Sequence, residues 1–106
     1  MEANERIKHL VEMLEKEPHD SFLNYALATE FFKQGNSSDA IEMLEKILER
    51  NPDYLGAYLQ LGQWYETVNK ADKALAIYQK GCIIAQKQQN HKALSELNQA
   101  IFMLED

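Results

Sequence analysis

The sequence is short of most things that specialised chemistry requires. It has one cysteine, Cys82, which rules out an internal disulfide and a cysteine-rich zinc site. Cys82 lies in the apolar run Gly81-Cys82-Ile83-Ile84-Ala85, which reads as a buried, inert thiol. Only 4 glycines and 2 prolines are spread over 106 residues, too little turn material for an all-β sandwich. No stretch reaches the roughly 18 apolar residues of a membrane span. The opening Met1-Glu2-Ala3-Asn4-Glu5-Arg6 is not the basic leader of a signal peptide, so a cytoplasmic protein is expected. Asn36-Ser37-Ser38 fits a glycosylation acceptor, and without a secretory signal it is read as chance.

Positive charge is also scarce. There are 11 Lys and Arg against 17 Asp and Glu, a net charge of −6, which is the opposite of a nucleic-acid footprint. The acidic excess falls in the first half of the chain and reads as solvated helix faces. His9, His19 and His91 sit in different segments, and no two have the i, i+4 spacing of a helical zinc site. Gly-x-Ser-x-Gly, Gly-Lys-Ser/Thr and glycine-rich phosphate loops do not occur. Cys82 and His91 are separated by a helix end and form no nucleophile–base pair. The expectation is a protein that is not an enzyme and needs no cofactor or metal.

What is present is amphipathic helix after amphipathic helix. Ile7, Leu10, Val11 and Leu14 recur at helical spacing, predicting a helix over 3–16 that Pro18 ends. Asp20 or Ser21 can cap a second helix with the stripe Leu23, Leu27, Phe31, and Gly35 suits its left-handed end. Ser37, Ser38 or Asp39 can cap a third, which carries Ala40, Ile41, Leu44, Ile47 and Leu48 and closes at Asn51-Pro52-Asp53. A fourth runs from about Tyr54 to Val68 with Tyr58, Leu61, Trp64 and Tyr65 on one side. Asn69 can cap a fifth that extends to about Gln88, and Asn90 a sixth with Leu94, Leu97, Ile101 and Leu104. Connections of two to five residues predict antiparallel neighbours.

The helices repeat. Sliding the segment 6–20 along the chain until Pro18 meets Pro52 also aligns Ile7 with Ile41, Leu10 with Leu44, Leu14 with Leu48 and Glu15 with Glu49. The same shift carries 21–54 onto 55–88. It aligns Leu27 with Leu61, Ala40 with Ala74 and Lys46 with Lys80, and matches Phe31 with Tyr65 in class. A helix–turn–helix unit recurring at this spacing, about 34 residues, resembles the tetratricopeptide repeat family. Leu27, Ala28, Phe31, Ala40, Leu44 and Pro52 stand at its consensus positions in the first repeat. Tyr58, Leu61, Gly62, Tyr65, Ala74 and Tyr78 stand there in the second. Asn24, Ile47 and Gln86 depart from the pattern. The resemblance implies an all-α, right-handed superhelical solenoid of antiparallel helix pairs with about six helices. Its parts would be an N-terminal half repeat over 1–18, repeats over 21–54 and 55–88, and a C-terminal capping helix over 89–106. An antiparallel bundle is the other packing that fits.

The same resemblance implies a non-catalytic protein-interaction module binding a peptide or helix of a partner protein, with no nucleic acid and no membrane. In that family the first helix of each pair lines a concave groove. The matching positions here are Phe22, Tyr25, Thr29 and Phe32, then Gly56, Leu59, Gln63 and Glu66, then Lys92, Ser95, Gln99 and Phe102. Phe22 and Phe32 also read as core. Some members grip a C-terminal carboxylate with Lys and Asn side chains. Tyr25, Thr29 and Gln60 stand at those positions, so that clamp is missing and an apolar, less acidic ligand is expected. Trp64 reads as core, and Tyr54 as covering the end of the third helix. Exposed Phe102 and Met103 are the expected self-association patch if the chain is instead a structural homodimer.

Overall fold

The computed structural model describes residues 3–105. Among them are six helices and no strand: α1 (Ala3–Lys16), α2 (Ser21–Lys33), α3 (Ser37–Arg50), α4 (Gly56–Thr67), α5 (Ala71–Lys87) and α6 (His91–Glu105). They fall into two compact units, Met1–Asn51 with α1 to α3 and Pro52–Asp106 with α4 to α6. In the first, α2 packs against both α1 and α3; in the second, α5 packs against both α4 and α6.

Three helix ends share one device. After α2, Gly35 takes φ 86°, its N–H bonding the Phe32 carbonyl and the Asn36 N–H that of Phe31. After α4, Asn69 takes φ 64°, with the same pair of bonds from Asn69 to Glu66 and from Lys70 to Tyr65. Gln89 repeats it after α5 at φ 55°. This left-handed cap satisfies carbonyls the helix end would otherwise leave bare. The shift that carries Pro18 onto Pro52 also carries Gly35 onto Asn69, so the sequence period is a period of backbone geometry as well.

Two expected caps are corrected. Asn69 does not cap α5. It is consumed by the end of α4, where asparagine tolerates the left-handed conformation, and Lys70 occupies the N-cap without a side-chain bond. The N-cap of α3 is Asn36 rather than Ser37, Ser38 or Asp39; its amide donates to the Asp39 carboxylate at 3.0 Å. Asp20 and Asn90 behave as expected, accepting from the Leu23 and Ala93 N–H groups at 2.8 and 3.0 Å. Helix α4 starts at Gly56, two residues later than the expected Tyr54.

In the first unit Leu23, Leu27, Ala28, Ala40, Ile41, Leu44 and Ile47 are buried. Ala28 and Ala40 are fully enclosed, and their small side chains let α2 and α3 approach. Helix α1 has no fully buried residue, and its attachment has an ionic part. The Glu30 carboxylate on α2 accepts from Nε and Nη2 of Arg6 at 3.2 and 3.1 Å, with Lys33 Nζ 3.7 Å from its other oxygen. Glu30 is itself buried, so these cations compensate a carboxylate withdrawn from water.

The second unit has an aromatic core of Tyr58, Trp64, Tyr65 and Tyr78, with Leu61, Ala74, Ala85 and Leu97. Two close approaches organise it. A Cβ at Gly62 would fall on the Tyr78 ring, and one at Gly81 would lie 2.8 Å from Tyr58 Cβ and 3.1 Å from the Leu97 methyls. Glycine is therefore required at both α4–α5 and α5–α6 contacts. The Tyr58 hydroxyl donates to the Pro52 carbonyl and the Gln88 amide to that of Asp53 at 2.7 Å, which fixes the turn leading into α4.

Candidate partner-binding surface

The residues expected to face a partner divide between the two units. On α2, Phe22 is 67% exposed, so the core reading for it fails. Its neighbours toward the C-terminus, Tyr25, Thr29 and Phe32, are half-buried. The Thr29 hydroxyl donates to the Tyr25 carbonyl one turn back at 3.0 Å. Three of these four α2 residues, Phe22, Tyr25 and Phe32, are aromatic, and none of the three is fully buried.

On α4, Leu59 is half-buried while Gln63 and Glu66 are exposed. Glu66 has a second task that sequence reasoning missed. Its carboxylate accepts the hydroxyl of Tyr78, whose ring is fully buried against Gly62. Burial, reinforced by the hydrogen bond and the negative charge of Glu66, pushes the Tyr78 phenol far above its usual value. The sign follows from linkage. The folded-state pKa is raised, so this contribution is complete below pH about 10 and is lost as pH rises beyond it, where the unfolded phenol ionises and the folded one does not. We expect the urea midpoint of the wild type to fall as pH rises above about 10. In Tyr78→Phe the fall is shallower, which denaturation followed by circular dichroism at a series of pH values will show. Equal slopes would refute the assignment.

On α6, Lys92, Ser95 and Gln99 are all exposed. The concavity this helix makes with α4 is lined instead by Leu55, Gly56, Leu59, Asn90, Ala93, Glu96 and Leu97, a cleft of about 200 Å³. Of the positions proposed from sequence for the partner surface, only Gly56 and Leu59 line it. The structure thus brings Leu59 together with Ala93 and Glu96, and leaves Lys92, Ser95 and Gln99 outside the lining. Ala93 lies one turn before Leu97, the buried residue of α6, and a helical plot places it on the same face; Glu96 lies one turn after Ala93 but well round the helix from Leu97, so the plot alone does not select it. A second cavity of about 170 Å³ lies in the first unit, lined by Pro18, His19, Ser21, Asn24, Met43, Lys46, Ile47 and Arg50.

The groups that reactivity would need are dispersed. Cys82 is half-buried, and burial pushes its thiol up, away from the thiolate. Its sulfur lies 3.5 Å from the Asn98 side-chain oxygen, a weak contact between α5 and α6. His9, His19 and His91 are exposed on separate helices or turns. Among the described residues no group of three or more His, Cys, Asp or Glu side chains is placed to hold a metal ion. No helix there is long and apolar enough to cross a membrane. Phe102 and Met103 are 72% and 68% exposed on α6.

Comparison with known proteins agrees with this architecture. No curated protein sequence matches the chain significantly. A solution structure of a tetratricopeptide repeat domain protein from Salinibacter ruber is similar, at 40% identity and TM-score 0.80. The match covers 83% of this chain and 89% of that one. The TPR2B domain of yeast Sti1, solved in complex with pHsp70, superposes with TM-score 0.84 at 20% identity, over 93% of this chain and 79% of that one. A Bordetella parapertussis protein superposes with TM-score 0.80 at 20% identity, over 93% and 86%. The last two share the fold. A model of the tetratricopeptide repeat matches residues 31–97, most of the chain. With the sequence period and the paired left-handed caps, these matches show that the chain belongs to the tetratricopeptide repeat family.

Proposed function

We propose that this chain is a non-catalytic protein-interaction module that binds a peptide or helix of a partner protein, and that it works in the cytoplasm. The family is one of protein-interaction modules, and the yeast neighbour was solved with a bound pHsp70 partner. Repeats over 21–54 and 55–88 are supported by Gly35 and Asn69, which fill the same place in each. The observation that carries the reading is the α4–α6 cleft. It opens on Leu59, a position that the family resemblance implies is partner-facing, and its floor is aliphatic. Around it we propose Gln63, Glu66, Lys92, Ser95 and Gln99 as a polar rim. On α2, we propose Phe22, Tyr25 and Phe32 as aromatic anchors of the kind that dominate interface energetics, with Thr29 between them. Gln60, Tyr25 and Thr29 replace the groups of a carboxylate clamp, so a partner held by its C-terminal carboxylate is not the ligand proposed.

Affinity capture from a lysate of the source cells, read by quantitative mass spectrometry, tests this. Wild type is run beside Tyr25→Ala/Leu59→Ala/Gln63→Ala. A protein enriched by wild type and lost from the triple variant is the expected result. Enrichment that survives the substitutions would refute the proposed surface. Exposed Phe102 and Met103 favour one second reading, a structural homodimer. It requires a concentration-dependent mass in sedimentation, abolished by Phe102→Ser/Met103→Ser.

A further inference from the structure

The cleft between α4 and α6 has a chemistry more specific than an apolar slot. Its aliphatic lining comes from Leu55, Leu59, Ala93 and Leu97. One ionisable side chain shares that lining, Glu96. Glu96 is exposed, and among the described residues it forms no ion pair. Lys92 lies one helical turn before it, a spacing that permits pairing, yet no salt bridge joins the two. The cleft therefore pairs a hydrophobic floor with an uncompensated carboxylate at its edge.

We infer that this cleft selects a partner segment in which an aliphatic side chain is flanked by Lys or Arg. The aliphatic group fills the floor and the cation meets Glu96. A volume of about 200 Å³ holds one leucine-sized side chain and not a helix, so the anchor is a single residue of the segment. An acidic neighbour would be repelled by Glu96 at close range. The inference rests on the proposed interaction role and narrows its ligand.

The test uses two capped peptides, acetyl-Gly-Leu-Arg-Leu-Gly-amide and acetyl-Gly-Leu-Glu-Leu-Gly-amide. Each is titrated into the ¹⁵N-labelled full chain and followed by amide chemical shifts, which register even millimolar binding and locate it. The expected result is that the arginine peptide shifts Leu59, Ala93 and Glu96 and binds more tightly than the glutamate peptide. Exposed charge contacts are worth up to about 1 kcal/mol, so the preference should be roughly fivefold at low salt. It should shrink at high ionic strength. Glu96→Gln removes the preference and Glu96→Lys reverses it, both at an exposed site where folding is unaffected. Equal shifts of the cleft resonances by both peptides would overturn the charge selectivity and leave the interaction role standing. Shifts confined to other residues, or no shift with either peptide, would overturn the cleft as a binding site altogether.

Discussion

Gly62→Ala should lower the melting temperature by at least about 10 °C, although alanine is the better helix former. The intrinsic preference favours the substitution by about 1 kcal/mol. Against it stands the new methyl, which would lie 2.6 Å from both Cδ1 and Cζ of Tyr78. Real carbon atoms do not approach so closely, so either the ring or a helix must move. The ring has nowhere to go. Tyr78 is fully enclosed and its hydroxyl is tied to Glu66. The helices must separate; overpacking costs typically about 1–3 kcal/mol, and a methyl set into an enclosed ring belongs at the upper end of that range. Thermal unfolding followed at 222 nm gives the value. Gly56→Ala is the control, since nothing lies within 4 Å of a Cβ there, and it should unfold no lower than wild type. Gly62→Ala/Tyr78→Leu should lose less than the sum of its single changes, because the smaller side chain vacates the space the methyl takes. A Gly62→Ala protein within a few degrees of wild type, or strictly additive changes, would refute the contact.

The same contact shows how far sequence reasoning carries. Leu27, Ala28 and Phe31 against Leu61, Gly62 and Tyr65 reveal the period, and the period reveals the fold, because packing positions recur wherever one helix pair must cover the next. Local capping was less legible. Asn69 satisfies the rules for starting a helix and those for ending one. Only its alignment with Gly35, one repeat earlier, says which applies. The site was less legible again. Leu59 was selected because the family resemblance implies a groove position there. Glu96 and Ala93 were not, because carrying the family register across the two-residue insertion before α6 selects Lys92, Ser95 and Gln99, and the apolar stripe through Leu97 does not say which of its two sides meets α4. Glu66 was read as a groove residue only. Its bond to Tyr78 depends on the short α4–α5 separation that Gly62 allows, a three-dimensional fact with no linear signature.

Leu97→Ala should undock α6 while leaving α4 and α5 paired. Leu97 is 1% exposed and is the only residue of α6 that is fully buried among those described. Its methyls reach the α5 backbone at Gly81, where a Cβ would stand 3.1 Å from both. Truncation removes that apolar contact and opens a cavity, at a cost of about 3 kcal/mol. The cost falls on a helix at one end of its unit, packed against α5. In arrays built from nearest-neighbour contacts, such an end helix can open on its own. Hydrogen exchange should then show α6 amides exchanging roughly a hundredfold faster, since about 3 kcal/mol corresponds to two powers of ten. The α4–α5 amides should change far less. Because Leu97 also lines the cleft with Leu59 and Glu96, the same substitution should abolish the arginine-peptide shifts at Leu59 even though α4 remains folded. Uniform acceleration across α4, α5 and α6 would mean that the unit unfolds as one body and that α6 is not a separable lid on the cleft. Unchanged α6 exchange would mean that its half-buried Leu94, Ile101 and Leu104 hold it in place without Leu97.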